Sequence, residues 1–221
     1  GGGYSMRNRA AFEALSDAFG ARYFGPFSPP SAGAAKLLSA ARRRLRLRGS
    51  FHHFAPKRLE AYRRAVEDVL ASHAELLFFN GFTPWIATSP AAPYIAWNDC
   101  SFHDYVRIYH NFSRFDPCDI ARIEAQEAQW LRGAQAVILR SRHFAERTVG
   151  HYRLDPEKVF SLRNFSTFAP PAADTYAGEP LFLFMSTHFR GKNGPIVLAA
   201  FQRLLAMYPM ARLAVVGDLP P

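Results

Sequence analysis

Two hydrophobic periods alternate along this chain. Short apolar runs at residues 76–79, 93–97, 136–139, 159–162, 181–185 and 211–216 predict strands, and 23–27 reads as a further short one. Between them, apolar positions recur every three or four residues. This spacing predicts helices over 7–18 (Phe12, Leu15 and Phe19), 36–48 (Leu37, Leu38, Ala41, Leu45), 56–72 (Leu59, Tyr62, Val66, Val69, Leu70) and 119–132 (Ile120, Ile123, Trp130, Leu131). Ser141 is placed to cap another helix running to about Tyr152. Pro195 opens a last one through Ile196, Val197, Ala200, Phe201, Leu204 and Leu205, ending at Tyr208-Pro209. Pro26, Pro29, Pro30 and Gly33 mark a loop, and Trp85-Ile86 a helical turn. Residues 100–117, with Phe102, Tyr105, Tyr109, Phe112 and Phe115, read as irregular. The run 181–185 is apolar throughout, as in a strand buried on both faces. Strand and helix alternate consistently enough to predict an α/β fold with a doubly wound, Rossmann-like parallel sheet.

Composition refines this picture. A 221-residue chain that is 49% hydrophobic can bury a real core, as one large domain or as one domain and part of another. Residues 170–180, rich in Pro, Ala and Gly, suit a linker. The chain opens on Gly1 rather than Met, so a longer parent sequence is expected at both ends. No run of about 18 apolar residues is present to span a membrane. Cys100 and Cys118 form no C-x-x-C and are expected to be buried thiols in a reducing compartment. The net charge of +9 is local: ten basic residues and one acid, Glu60, lie between Lys36 and Arg64, which leaves the rest of the chain neutral. That segment has three readings: a solvated helical face, docking on an anionic membrane surface, or nucleic-acid binding. No recognised nucleic-acid fold accompanies it, so no nucleic-acid partner is expected.

Candidate chemistry concentrates in turns that follow strands. After the run 181–185, a turn carrying Arg190 and Lys192 leads into the helix opened by Pro195. Two cations at a helix N-terminus after a parallel strand make a seat for a diphosphate. Fixed cations there stabilise a departing diphosphate more in the transition state than in the ground state. Gly1, Gly2 and Gly3 lack a Cβ and would let backbone N–H groups approach a phosphate or a sugar ring. Asn98-Asp99 ends the 93–97 strand, at the end of the sheet where open α/β folds bind ligands. Glu124 and Glu127 form an E-x-x-E pair that reads as a solvated helix face without a histidine at metal-ligand spacing. His52, His53 and His188 also lack ligand spacing, so no metal site is expected.

Taken together, these segments resemble family 4 glycosyltransferases of the two-domain GT-B architecture. G-G-G-Y-S-M at the start resembles the glycine-rich loop after that fold's first strand. P-Y-I-A-W-N-D-C-S-F (93–102), W-L-R-G-A-Q-A-V-I-L-R-S-R-H-F-A with H-Y-R-L-D-P-E-K-V, and R-G-K-N-G-P-x-x-L-x-A-F with Val216-Gly217-Asp218 follow in the family's order. The resemblance implies an acceptor-side domain at 1–170, a linker at 171–180 and, at 181–221, the first β-α-β of an incomplete nucleotide-sugar-binding domain. It implies retaining transfer of a sugar from a nucleotide-diphosphate sugar to a saccharide or lipid-linked acceptor, as in polysaccharide biosynthesis. Arg190 and Lys192 would hold the diphosphate without a metal or other cofactor. Many members carry a donor-sugar histidine where this chain has Asn98; Asp99 would orient an acceptor hydroxyl, and His103 would replace the missing imidazole. The family's E-x7-E motif lies beyond residue 221, so residues 1–221 alone are expected to be inactive. A cytoplasmic location, peripheral at the inner face of the membrane through residues 36–64, is the matching expectation. The competing reading is a non-catalytic module that docks through the same basic segment on a membrane or nucleic acid.

Overall fold

The computed structural model describes residues 3–25, 27, 33–45, 47–71, 74–82, 84–162 and 178–217. The chain divides into two compact units, residues 1–167 and 168–221. The first opens with helices α1 (Gly3–Phe19), α2 (Gly33–Arg44), α3 (Pro56–Ala65) and α4 (Glu67–Leu70). Strands β1 (Leu77–Asn80) and β2 (Tyr94–Asn98) follow, then α5 (Phe102–Tyr109) and α6 (Pro117–Gly133). Strand β3 (Ala136–Leu139), helix α7 (Arg142–Tyr152) and strand β4 (Val159–Ser161) complete it. The four strands form one parallel sheet in the order β1-β2-β3-β4.

One face of that sheet carries the core. Leu77 and Phe79, Tyr94 and Ala96, and Val137 and Leu139 are buried at alternate positions, as the two-residue period of a strand requires. Against them pack Ile123, Trp130 and Leu131 of α6 and Leu59 of α3. Tyr94 donates its hydroxyl to the Trp130 carbonyl, and burial raises its pKa to about 12. Gly133 passes so close to that hydroxyl that a Cβ there would meet it at 2.7 Å. A second aromatic group joins the 49–54 segment to α5 and α6. Phe51 stacks on Phe115 with centroids 3.9 Å apart and meets Phe102 edge-on at 5.0 Å. Asp119 accepts from the Phe51 amide at 2.9 Å and pairs with Arg122, which reaches the Phe54 carbonyl.

Three expectations fail in this unit. Residues 102–109 are helical: Ser101 accepts from the Asp104 amide as an N-cap, and Phe102 and Val106, four positions apart, are buried on one face of the helix that follows. Residues 23–25 and 27, at the expected first short strand, have no regular structure. On α2, Leu37 and Leu38 are exposed, while Ser39 is buried and exchanges two hydrogen bonds with the Ser50 backbone. The expectation of two buried thiols also fails: Cys118, next to the Pro117 that opens α6, is exposed and Cys100 half-buried. Burial, with Asp104 and Asp99 nearby, raises the Cys100 thiol to about 12, so it is inert as a nucleophile at neutral pH.

The second unit contains β5 (Leu181–Ser186), α8 (Gly194–Leu205) and β6 (Arg212–Gly217), with the two strands parallel. The expected burial of β5 on both faces is not found: Leu181, Phe182, Leu183 and Met185 are exposed. Two strands and one helix, among the described residues, cover only part of such a sheet. Among the described residues of this unit, Phe189 and Ala211 are the buried hydrophobic ones. Gly217 adopts φ +108°, and a Cβ at this position would overlap the Ser186 carbonyl. The end of β6 therefore requires glycine.

Candidate functional site

The sheet register sets the first constellation. Asn98 pairs with Leu139 across β2 and β3, so the next residues on each strand, Asp99 and Arg140, come side by side. They form an ion pair at 2.5 Å, with the Asp99 side chain 43% exposed and Arg140 only 10%. The guanidinium of Arg140 also lies 5.4 Å from the Trp97 ring, where a planar cation is favoured. Asp99 thus sits at the C-terminal end of the sheet as a carboxylate already held by a cation. Asn98 donates to the Cys100 carbonyl at 2.9 Å and shapes the turn into α5.

His103 occupies the first turn of α5, and its Nδ1 lies 2.7 Å from Glu124 Oε1 on α6. His151, in the last turn of α7, brings its Nε2 to 3.5 Å from the same oxygen. The two imidazoles stack with centroids 3.7 Å apart. The expectation that Glu124 and Glu127 form a solvated face without histidine partners is overturned. Glu124 has two, contributed by other helices, and Glu127 is fully buried. Local spacing carries no trace of this arrangement, because His103 and Glu124 are 21 positions apart and meet only once α5, α6 and α7 pack.

Glu127 belongs to a network that sequence reasoning missed. Its Oε2 accepts from the Tyr152 hydroxyl at 2.6 Å and from the Phe102 amide at 2.8 Å. Burial, opposed by those two hydrogen bonds, leaves its pKa raised to about 7. Burial and the Glu127 charge raise the Tyr152 hydroxyl as well, so the phenol remains the proton donor of the pair. The Tyr152 hydroxyl accepts in turn from the His103 amide at 3.4 Å. Next door, buried Asp104 accepts from Arg147 at 2.7 Å and from Arg107 at 3.3 Å, fixing α5 to α7. The first turn of α5 is thereby held on both sides.

Arg190 and Lys192 lie in a single 3₁₀ turn between β5 and α8. Both are exposed. The Lys192 amide donates to the His188 carbonyl at 3.0 Å and the Gly194 amide to the Phe189 carbonyl at 2.9 Å. Asn193 takes a left-handed conformation (φ 60°) that turns the chain into α8, with Pro195 in its first turn. A Cβ on Gly191 would overlap the His188 ring, so the turn closes tightly. Gly1 and Gly2 lie outside the described residues, and Gly3 begins α1. Most of the expected linker, residues 171–177, and Asp218 also lie outside them. Asp99 and His103 belong to the first compact unit, Arg190 and Lys192 to the second.

No family model matches the chain, and neither does any curated protein. Among solved structures it resembles TarM, a glycosyltransferase of GT-B type, with a TM-score of 0.50 and 12% identity. The match covers 74% of this chain and 32% of TarM, so the chain spans about a third of that protein's length. Identity this low speaks to architecture alone. The fold is α/β, with a parallel Rossmann-like sheet of the kind found in GT-B glycosyltransferases.

Proposed function

We propose that the chain belongs to a retaining glycosyltransferase of family 4 type, which moves a sugar from a nucleotide-diphosphate sugar to a saccharide or lipid-linked acceptor. The observation that carries this reading is the β5–turn–α8–β6 unit, which presents Arg190 and Lys192 where a parallel strand passes into a helix. Breaking the sugar–phosphate bond leaves negative charge on the diphosphate. Arg190 offers a planar fork and Lys192 a compact ammonium to that charge, so the departure needs no metal at this point. The dipole at the N-terminal end of α8 adds to the same field. On the acceptor side, Asp99 is held by Arg140 and His103 by Glu124, which restricts how each side chain can turn toward a sugar hydroxyl. The glycine-rich start, Gly1–Gly3, completes the acceptor side in this reading.

The test is calorimetric titration of the full protein with a nucleoside diphosphate, UDP and GDP in turn. Charged hydrogen bonds to phosphate contribute about 1.5–3 kcal/mol each, so Arg190→Ala or Lys192→Ala is expected to weaken binding about ten- to hundredfold. A double variant that folds and binds as tightly as the parent would overturn the assignment.

A second reading has its own observation. Helix α2 and the residues after it expose Leu37, Leu38, Leu45 and Leu47 beside Lys36, Arg42, Arg44 and Arg48. Apolar side chains set among cations are the surface expected of a protein that rests on an anionic membrane face, as a lipid-linked acceptor would require. Among the described residues no helix is long and apolar enough to cross a membrane. This reading places the protein at the cytoplasmic face of a membrane, whether or not it is a catalyst.

A further inference from the structure

We propose that His103, Glu124 and His151 form a binding site for a divalent transition-metal ion of the zinc class. Each offers one ligand atom, and the three atoms lie within 4.8 Å of one another. Around a tetrahedral ion with bonds of roughly 2.0–2.1 Å, ligand atoms sit about 3.3 Å apart. Here Glu124 Oε1 is 2.7 Å from His103 Nδ1 and 3.5 Å from His151 Nε2, so seating an ion opens one separation and slightly closes the other. Two imidazole nitrogens and one carboxylate oxygen suit zinc and its late first-row neighbours, whereas magnesium and calcium prefer all-oxygen shells.

The ligands come from three different helices, α5, α6 and α7, and their side chains are only about one-quarter to one-third exposed. Their backbones are anchored independently. Asp104 with Arg147 ties α5 to α7, and the Phe102 amide on Glu127 ties α5 to α6, so the three helices are held before any ion arrives, and only the stacked rings of His103 and His151 must turn to aim both nitrogens at it. Three ligands leave a fourth position for water or a substrate oxygen. An ion on Nδ1 of His103 leaves its Nε2 on the other side of the ring, so this site does not depend on the donor-diphosphate reading and does not exclude it.

The probe is Co²⁺, added to the chelator-treated full protein and followed by visible absorption, with Zn²⁺ as competitor. One Co²⁺ per chain is expected, giving the intense bands of a low-coordinate site that Zn²⁺ bleaches. His151→Ala and Glu124→Gln should each weaken Co²⁺ binding more than about a hundredfold, beyond the roughly 10–100-fold that loss of an outer partner costs. Both positions are partly exposed, and circular dichroism of each variant confirms that it folds. If one does not fold, the other supplies the reading. His52 and His53, whose rings lie 4.1 Å apart, are the competing imidazole pair. His52→Ala with His53→Ala should leave the bands unchanged. Absence of the bands, or bands that survive His151→Ala and Glu124→Gln but vanish in the His52/His53 variant, would overturn the proposal.

Discussion

Glu127 places a carboxyl group where no water reaches it, with a phenol and a backbone amide as its partners. Its pKa of about 7 in the fold, against an ordinary 4.5, has a definite sign for stability. Below about pH 4.5 the group is protonated folded or unfolded, and nothing is lost. Between 4.5 and 7 only the folded state keeps the proton, so stability falls as pH rises, and above 7 the full penalty is present. A shift of this size corresponds to a loss of up to about 3 kcal/mol. Glu127→Gln cannot titrate, so its urea midpoint should decline less than the parent's between pH 5 and 8. Parallel declines would show that Glu127 does not set this dependence. None of it was legible locally: E-x-x-E on an amphipathic helix reads as a polar face, and the Tyr152 hydroxyl that makes burial tolerable comes from 25 positions away. The position of Asp99 just past β2 was legible, because it follows from the apolar run of one strand and needs no tertiary partner to be found.

At the scale of elements, the pattern succeeded where one period ran cleanly. Strand β3 and the Ser141 cap of α7 lie where the apolar run and the capping residue put them. Helix α5 does carry an apolar face, with buried Phe102 and Val106 four positions apart, but at eight residues it spans only about two turns, too few for the period to stand out among its aromatic neighbours. Glycines test how closely elements pack. Gly194, at the start of α8, lies against the ring of buried Phe189, and an added methyl would overlap that ring. Gly194→Ala should therefore destabilise the second unit by roughly 1–3 kcal/mol, despite alanine's better helix propensity. Gly150, inside α7, has nothing within 4 Å of its missing Cβ. Gly150→Ala should stabilise the first unit by about 0.5–1 kcal/mol. Hydrogen exchange of the α8 and α7 amides reads both, and equal effects of the same sign would refute the packing argument.

Across the whole molecule, charge and topology act separately. The excess positive charge sits in residues 36–64, and its one acid, Glu60, is already engaged by Arg63 and Arg64, which hold its pKa down at about 2. Arg44 and Arg48, both exposed, present their charge to an external anion. Co-sedimentation with vesicles containing anionic lipid, falling with salt and absent with neutral lipid, is the expected result. Arg42→Glu with Arg44→Glu should abolish it, and equal pelleting with neutral vesicles would remove the membrane reading. The sequence made this segment plain from charge alone, but not which side of α2 meets the protein, since Ser39 rather than a leucine is the anchor. The order β1-β2-β3-β4 has a kinetic consequence. In this sheet each strand after β1 pairs with the one synthesised just before it, and parallel pairing allows no tight hairpin between neighbours. Each addition must wait for its intervening segment to fold and close a long loop, which is slow in a free chain. On a ribosome the same order lets the sheet grow one strand at a time in the direction of synthesis, without an earlier strand having to wait for a distant partner.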